Sequence, residues 1–150
     1  MEHQLESLFQ EWHRLGGNVL VQQVDTTLPA RDAEQVIASS TRYCRDSSRL
    51  MWVVLGWFVD HVDQIEVEQL LNETRTSGEL SVLGLLCDAA YLKNPNPKFI
   101  QIMMQCVKPP QLEPFFTRVA KSRLALKLAS ENPIDVFLRW NYLSNELSYA

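Results

Sequence analysis

The sequence is short of cysteine, of long apolar runs, of chemical motifs and of net positive charge, and each shortage removes a class of protein. Its three cysteines (Cys44, Cys87, Cys106) are odd in number, widely spaced and each beside apolar residues. That argues against a disulfide framework and for reduced thiols in a cytoplasmic protein. The longest apolar run, Leu50 to Val59 with Gly56 inside it, is ten residues. A bilayer span takes ~20, so the run reads as a buried core helix and no membrane association is expected. The first residues carry Glu2 and Glu6 where a secretory signal would be positive. The formal net charge is −4, which opposes a protein that coats nucleic acid but leaves room for a local basic face. Five glycines and seven prolines are ordinary usage, neither collagenous nor linker-like.

Catalytic signatures are missing as well. There is no Gly-rich phosphate loop, no nucleophile elbow and no recognisable Cys/His pair. His3, His13 and His61 lie far apart, and Asp60-His61-x-Asp63 with Glu66 beyond falls short of the fixed ligand spacing that zinc requires. A solvated helix end explains the same residues. Acid pairs such as Glu66/Glu68 read as charged surface, and Cys87, between Leu86 and Asp88, as a small buried residue. No catalytic, cofactor-binding or metal-binding residue is therefore named, and no cofactor is expected.

What is present is helical periodicity on a chain of 150 residues, 46% hydrophobic and 21% charged, the size of one domain over 1–150. Leu5, Leu8, Phe9, Trp12 and Leu15 share one helical face, and Gly16-Gly17 supplies a stop. Asn18 to Thr27 has no clear period and reads as irregular or a short helix. Pro29 suits a first helical turn with Asp32 and Glu34 behind it, the helix running to about Cys44. Asp46 or Ser47 offers the next N-cap, and Arg49 to His61 is apolar on every side, as the central helix of a domain should be. Further helices are predicted from Asp63 or Gln64 to about Thr74, over Leu80–Leu92 and over Lys98–Val107. Lys93 to Pro97 reads as a turn. Pro114 should start a helix over 115–130, and Asn132-Pro133 should cap a last one carrying Ile134, Phe137, Leu138 and Tyr142 on one face. The expectation is an all-α single domain of about seven or eight short helices, a multi-helical array with room for HEAT-like helix pairs.

Val54-Leu55-Gly56-x-x-x-Asp60 recurs as Val82-Leu83-Gly84-x-x-x-Asp88, 28 residues later. Stacked helix pairs repeat at roughly 34 to 47 residues, so the echo reads first as two buried helices that use glycine for close approach.

Charge is unevenly placed. Residues 1–75 carry 6 basic and 12 acidic side chains, whereas Ala89 to Ser130 holds seven basic residues against Glu113 alone. Arg118 and Lys121 share a helix face, as do Arg123 and Lys127, making a candidate surface for an acidic protein or for nucleic acid. The plain alternative is that these cations balance the acidic first half. Trp12 and Trp140, on terminal amphipathic helices, are candidate interface aromatics, with core packing as their competing role.

Ser48-Arg49-Leu50-x-Trp52, Val82-Leu83-Gly84 and Phe137-Leu138-Arg139-Trp140-Asn141 resemble small all-helical bacterial proteins that partner nucleotidyltransferase-like toxins, the antitoxin type. The resemblance spans about residues 47–142 and carries no functional residue over. It implies a partner-binding protein. The first expectation is thus a non-enzymatic module that binds another protein, with Arg118, Lys121, Arg123, Lys127, Trp12 and Trp140 as its surface. A nucleic-acid-binding regulator using the basic stretch 93–127 is the second, and an enzyme with an unrecognised site the third.

Overall fold

A computed structural model describes residues 2–116 and 135–144. The chain is all-α, as the periodicity predicts, with a minute two-strand ribbon added. In order, the described elements are α1 (Glu2–Arg14), α2 (Ala33–Thr41), α3 (Ser48–His61), a 3-10 turn (Val62–Gln64), α4 (Val67–Ser77), α5 (Leu80–Lys93), α6 (Pro97–Met103), β1 (Glu113–Pro114), α7 (Asp135–Arg139) and β2 (Tyr142–Leu143). One hydrophobic cluster runs through them, with Trp12, Ile37, Leu50, Phe58, Phe99 and Tyr142 among its fully buried side chains.

Local chemistry sets the helix ends. Gly16, at φ 88°, terminates α1: its N–H donates to His13 O at 3.1 Å and the Gly17 N–H to Trp12 O at 2.7 Å, the two bonds of a Schellman close. Helix α2 begins at Ala33, not at Pro29. Residues 29–32 run outside it because Arg31 is pinned to α1, its guanidinium on the buried Glu11 carboxylate at 2.6 and 2.8 Å and its carbonyl accepting from Arg14. The Gln35 side chain then caps the Asp32 N–H at 3.0 Å. Ser47 is the N-cap of α3, accepting from Leu50 N at 3.1 Å.

Helix α4 starts at Val67, later than the sequence reading places it. The intervening residues form the 3-10 turn, and the buried Glu34 of α2 reaches across to accept the Glu66 N–H at 2.8 Å. Pro97 opens α6 as its first residue, where a missing N–H costs nothing. The helix stops at Met103 rather than Val107, with Met104 as its C-cap and the Met104 N–H donating to Ile100 O at 3.0 Å.

Near the C-terminus the expectation fails at two described points. Pro114 lies in β1, not at a helix start, and Tyr142 lies in β2, not on a helix face. The strands pair in parallel, Glu113 N donating to Asn141 O and Phe115 N to Leu143 O, both at 2.9 Å. Pro114, with no N–H, occupies the position between these two donors. The left-handed Asn141 (φ 60°) ends α7 and turns the chain into β2. The rest of the 115–130 helix and the Asn132-Pro133 cap lie outside the described residues.

Packing follows contact chemistry more than sequence order. Helix α2 packs against α4, α5 against α6, and α3 against α5. The two echo motifs thus differ in surroundings, and their glycines differ most. A Cβ on Gly84 would stand 2.3 Å from the Trp140 ring and 2.9 Å from Cys106 Cβ, so α5 does use glycine for close approach. A Cβ on Gly56 would meet nothing within 4 Å among the described residues. No described helix crosses α3 there, and Gly56 lines a cleft instead.

Candidate interaction surface

The cleft forms where the loop after α1 stands off from α3. Trp57 Nε1 donates to Leu15 O at 3.0 Å and fixes the loop's root. Gln10 grips its far side, donating through Nε2 to Gln23 O at 2.7 Å and accepting the Asp25 N–H at 3.0 Å. The Thr27 hydroxyl and amide then hold the exposed Asp25 carboxyl below the usual carboxylate range. Between these anchors the side chains of Leu20 and Val24 point outward, 88% and 56% exposed. Val19, one residue away, is buried.

Under Leu20 lies a cleft of about 450 Å³ floored by Trp52, Val53 and Gly56 of α3. It adjoins a more polar one of about 530 Å³ against Glu6, Phe9 and Gln22. Leu20 and Arg49 border both. The exposed Arg49 guanidinium sits 4.4 Å over the Phe9 ring and reaches Leu20 O at 3.3 Å, and no ion pair with it is seen among the described residues. Three ingredients of recognition meet here: an apolar floor, a projecting leucine and a cation held on an aromatic face.

The residues named from sequence fall elsewhere. Trp12 is fully buried, its Nε1 donating to Ser40 Oγ at 2.9 Å and its ring 5.4 Å from that of Trp57. It is a core residue, which corrects its nomination as an interface aromatic. Trp140 is half-buried against Gly84, with Nε1 donating to Asp88 Oδ2 at 2.9 Å, so its contacts are internal. Arg118, Lys121, Arg123 and Lys127 lie outside the described residues. Of the stretch's other cations, Lys98 donates to the Asp63 and Ile65 carbonyls at 3.0 and 2.9 Å, closing the turn before α4.

No protein-family model, curated protein or solved structure matches this chain.

A third cleft, of about 350 Å³, lies between the start of α5 and the ribbon. Its polar groups hold the fold together. Arg45 donates to Phe115 O at 3.0 Å and Pro114 O at 2.8 Å and lies 4.9 Å over the Tyr142 ring, while the Tyr142 hydroxyl meets Ser81 Oγ at 2.7 Å. Burial pushes the Glu79 carboxyl up, and the neighbouring Asp46 and Glu113 push it further against the opposing pull of Arg45 and Arg42. Burial likewise raises all three thiols, Cys106 to about 12. Such thiols are poor nucleophiles at neutral pH. Among the described residues no three His, Cys, Asp or Glu side chains converge to hold a metal, and no helix is long and apolar enough to cross a membrane.

Sequence reasoning missed the Leu20–Arg49–Trp52 surface. Its one signal was the irregular stretch Asn18–Thr27, where Leu20 and Val24 stand among polar residues with no periodic partner.

Proposed function

We propose that the protein is a cytoplasmic, non-enzymatic helical module that binds another protein and regulates or neutralises it, in the antitoxin manner. The observation that carries this reading is the cleft under Leu20, where an almost fully exposed leucine overhangs an apolar floor with, at its rim, an arginine that has no ion pair among the described residues. Such a surface suits a partner segment that buries an apolar side chain against Trp52 and sets a carboxylate beside it for Arg49. The ion pairs seen among the described residues, Glu11–Arg31 and Asp88–Arg139, and the Glu34 cap serve the fold, which favours binding over chemistry. The resemblance of residues 47–142 to antitoxin-type proteins supports an enzyme as the partner.

Affinity purification from the native host tests it, using wild type beside Leu20→Asp and Arg49→Gln. One protein should co-elute with wild type in stoichiometric amount, be lost with Leu20→Asp and be reduced about tenfold with Arg49→Gln. Leu20 stands in solvent, so the thermal midpoint of its variant should match wild type. Co-elution of nucleic acid in a salt-sensitive manner, indifferent to Leu20→Asp, would favour the regulator reading and refute this one.

A further inference from the structure

Two-fold pairing of a chain with itself needs a knob and a hole side by side on one patch, so that each copy's knob meets the other's hole. The face after α1 carries both. The knob is Leu20, 88% exposed, with the exposed Val24 further along the same loop. The hole is the cleft of about 450 Å³ that Leu20 borders, floored by Trp52, Val53 and Gly56. Its deepest allowance for an incoming side chain is at Gly56, where a Cβ would meet nothing within 4 Å among the described residues. Charge on the patch is balanced. Glu6 and Arg49 border the adjoining cleft, both exposed, and no ion pair of either is seen among the described residues. A face with one group of each sign offers little to a strongly charged partner, whereas pairing with itself brings both signs from each copy into one contact and avoids the repulsion of like charges alone.

We propose that, in the absence of another partner, this face is covered by a second copy of the chain: a two-fold dimer in which each Leu20 enters the other copy's cleft onto Trp52 and Gly56. Twelve residues line the two clefts, against roughly 20–30 a side in a standard interface, so the dimer is a weak one, with a dissociation constant in the micromolar range or above. Weakness suits the site. A loose dimer keeps the exposed leucine out of water in the free protein and yields the same face to a tighter binder by mass action. The dimer concerns the face assigned above to a partner but does not rest on that reading, since it needs only this chain.

Sedimentation velocity of the purified full chain, from micromolar to submillimolar concentration, tests this with no foreign protein present. Wild type should pass from monomer to dimer across that range. Leu20→Ser removes the knob and Gly56→Leu fills the hole, and each should weaken self-association about tenfold or more while the circular dichroism spectrum stays that of wild type. An equimolar mixture of the two variants reads the geometry directly. The knob of Gly56→Leu still fits the hole of Leu20→Ser, so one of the two contacts returns and the mixture should associate more tightly than either variant alone. A wild type that stays monomeric, a dimer indifferent to Leu20→Ser, or a mixture no tighter than its components would overturn the proposal. Should Gly56→Leu fail to fold, wild type against Leu20→Ser settles it, because Leu20 stands in solvent and its loss leaves the core alone. A monomeric wild type would leave the partner reading intact, and a dimer with no co-eluting protein would leave this one.

Discussion

The two glycines of the Val-Leu-Gly echo make a paired test of how far a shared motif implies shared structure. At Gly84, a new methyl would lie 2.3 and 2.4 Å from ring atoms of Trp140 and 2.9 Å from Cys106 Cβ. A rigid indole whose Nε1 is bonded to Asp88 can yield only by breaking that bond or forcing the helices apart. Overpacking of this kind costs about 1–3 kcal/mol, and a hydrogen bond to a charged group contributes about 1.5–3. Helix propensity returns ~1 kcal/mol when Gly becomes Ala in a helix interior. Gly84→Ala should therefore destabilise by about 1–3 kcal/mol. At Gly56 the propensity gain is opposed by none of the described residues, since the new methyl meets nothing among them within 4 Å, and Gly56→Ala should stabilise by about 0.5–1 kcal/mol. At this chain length each kcal/mol moves the melting temperature by about 2–4 °C, so the two variants should differ by about 10 °C. Calorimetric scans and urea titrations of both variants measure the difference. Equal shifts, or a Gly84→Ala variant as stable as wild type, would refute the claim that Trp140 is seated on α5.

Other consequences can be measured in the same way. Gly78→Ala should destabilise by about 2–3 kcal/mol in urea titration, because its methyl would stand 2.5 Å from Ala38 O and 2.6 Å from Thr41 Oγ1, and backbone cannot step aside as a flexible side chain can. Glu79 carries a carboxyl raised above its unfolded value of 4.5, so the folded chain holds that proton more tightly and stability falls as pH climbs from 4.5 through the folded pKa. Glu79→Gln should accordingly raise the melting temperature at pH 7 and change it little at pH 4; an equal effect at both would remove charge burial as the cause. Glu34→Ala should cost about 1.5–3 kcal/mol by leaving the Glu66 N–H without its acceptor, with the loss of protection concentrated in the first turn of α4 by hydrogen exchange.

Much of the architecture was legible because helices are written locally. The face made by Leu8, Phe9 and Trp12, the Gly16 stop, the Ser47 cap and the all-round apolar α3 each follow from residues within a turn or two of one another. Boundaries slipped where a distant group intervened: Arg31 tied to Glu11 delays α2, and Glu34 capping Glu66 delays α4. The ribbon was illegible because a two-residue strand has no period, and its partner lies 29 positions away. Trp12 and Trp140 show the same limit in side chains. An aromatic on an amphipathic helix declares that it will be buried, not whether its own core or a partner buries it.

The candidate site belongs wholly to tertiary structure. Leu20, Arg49 and Trp52 acquire meaning only because Gln10 and Trp57 hold the loop clear of α3, leaving a leucine in water and a glycine uncovered beneath it. Sequence by itself determined the helical class and where the apolar mass lies, since periodicity and caps act over three or four residues. Which of two identical motifs is packed against an indole and which lines a cleft was decided by long-range contacts, whose energies depend on neighbours that no local pattern names.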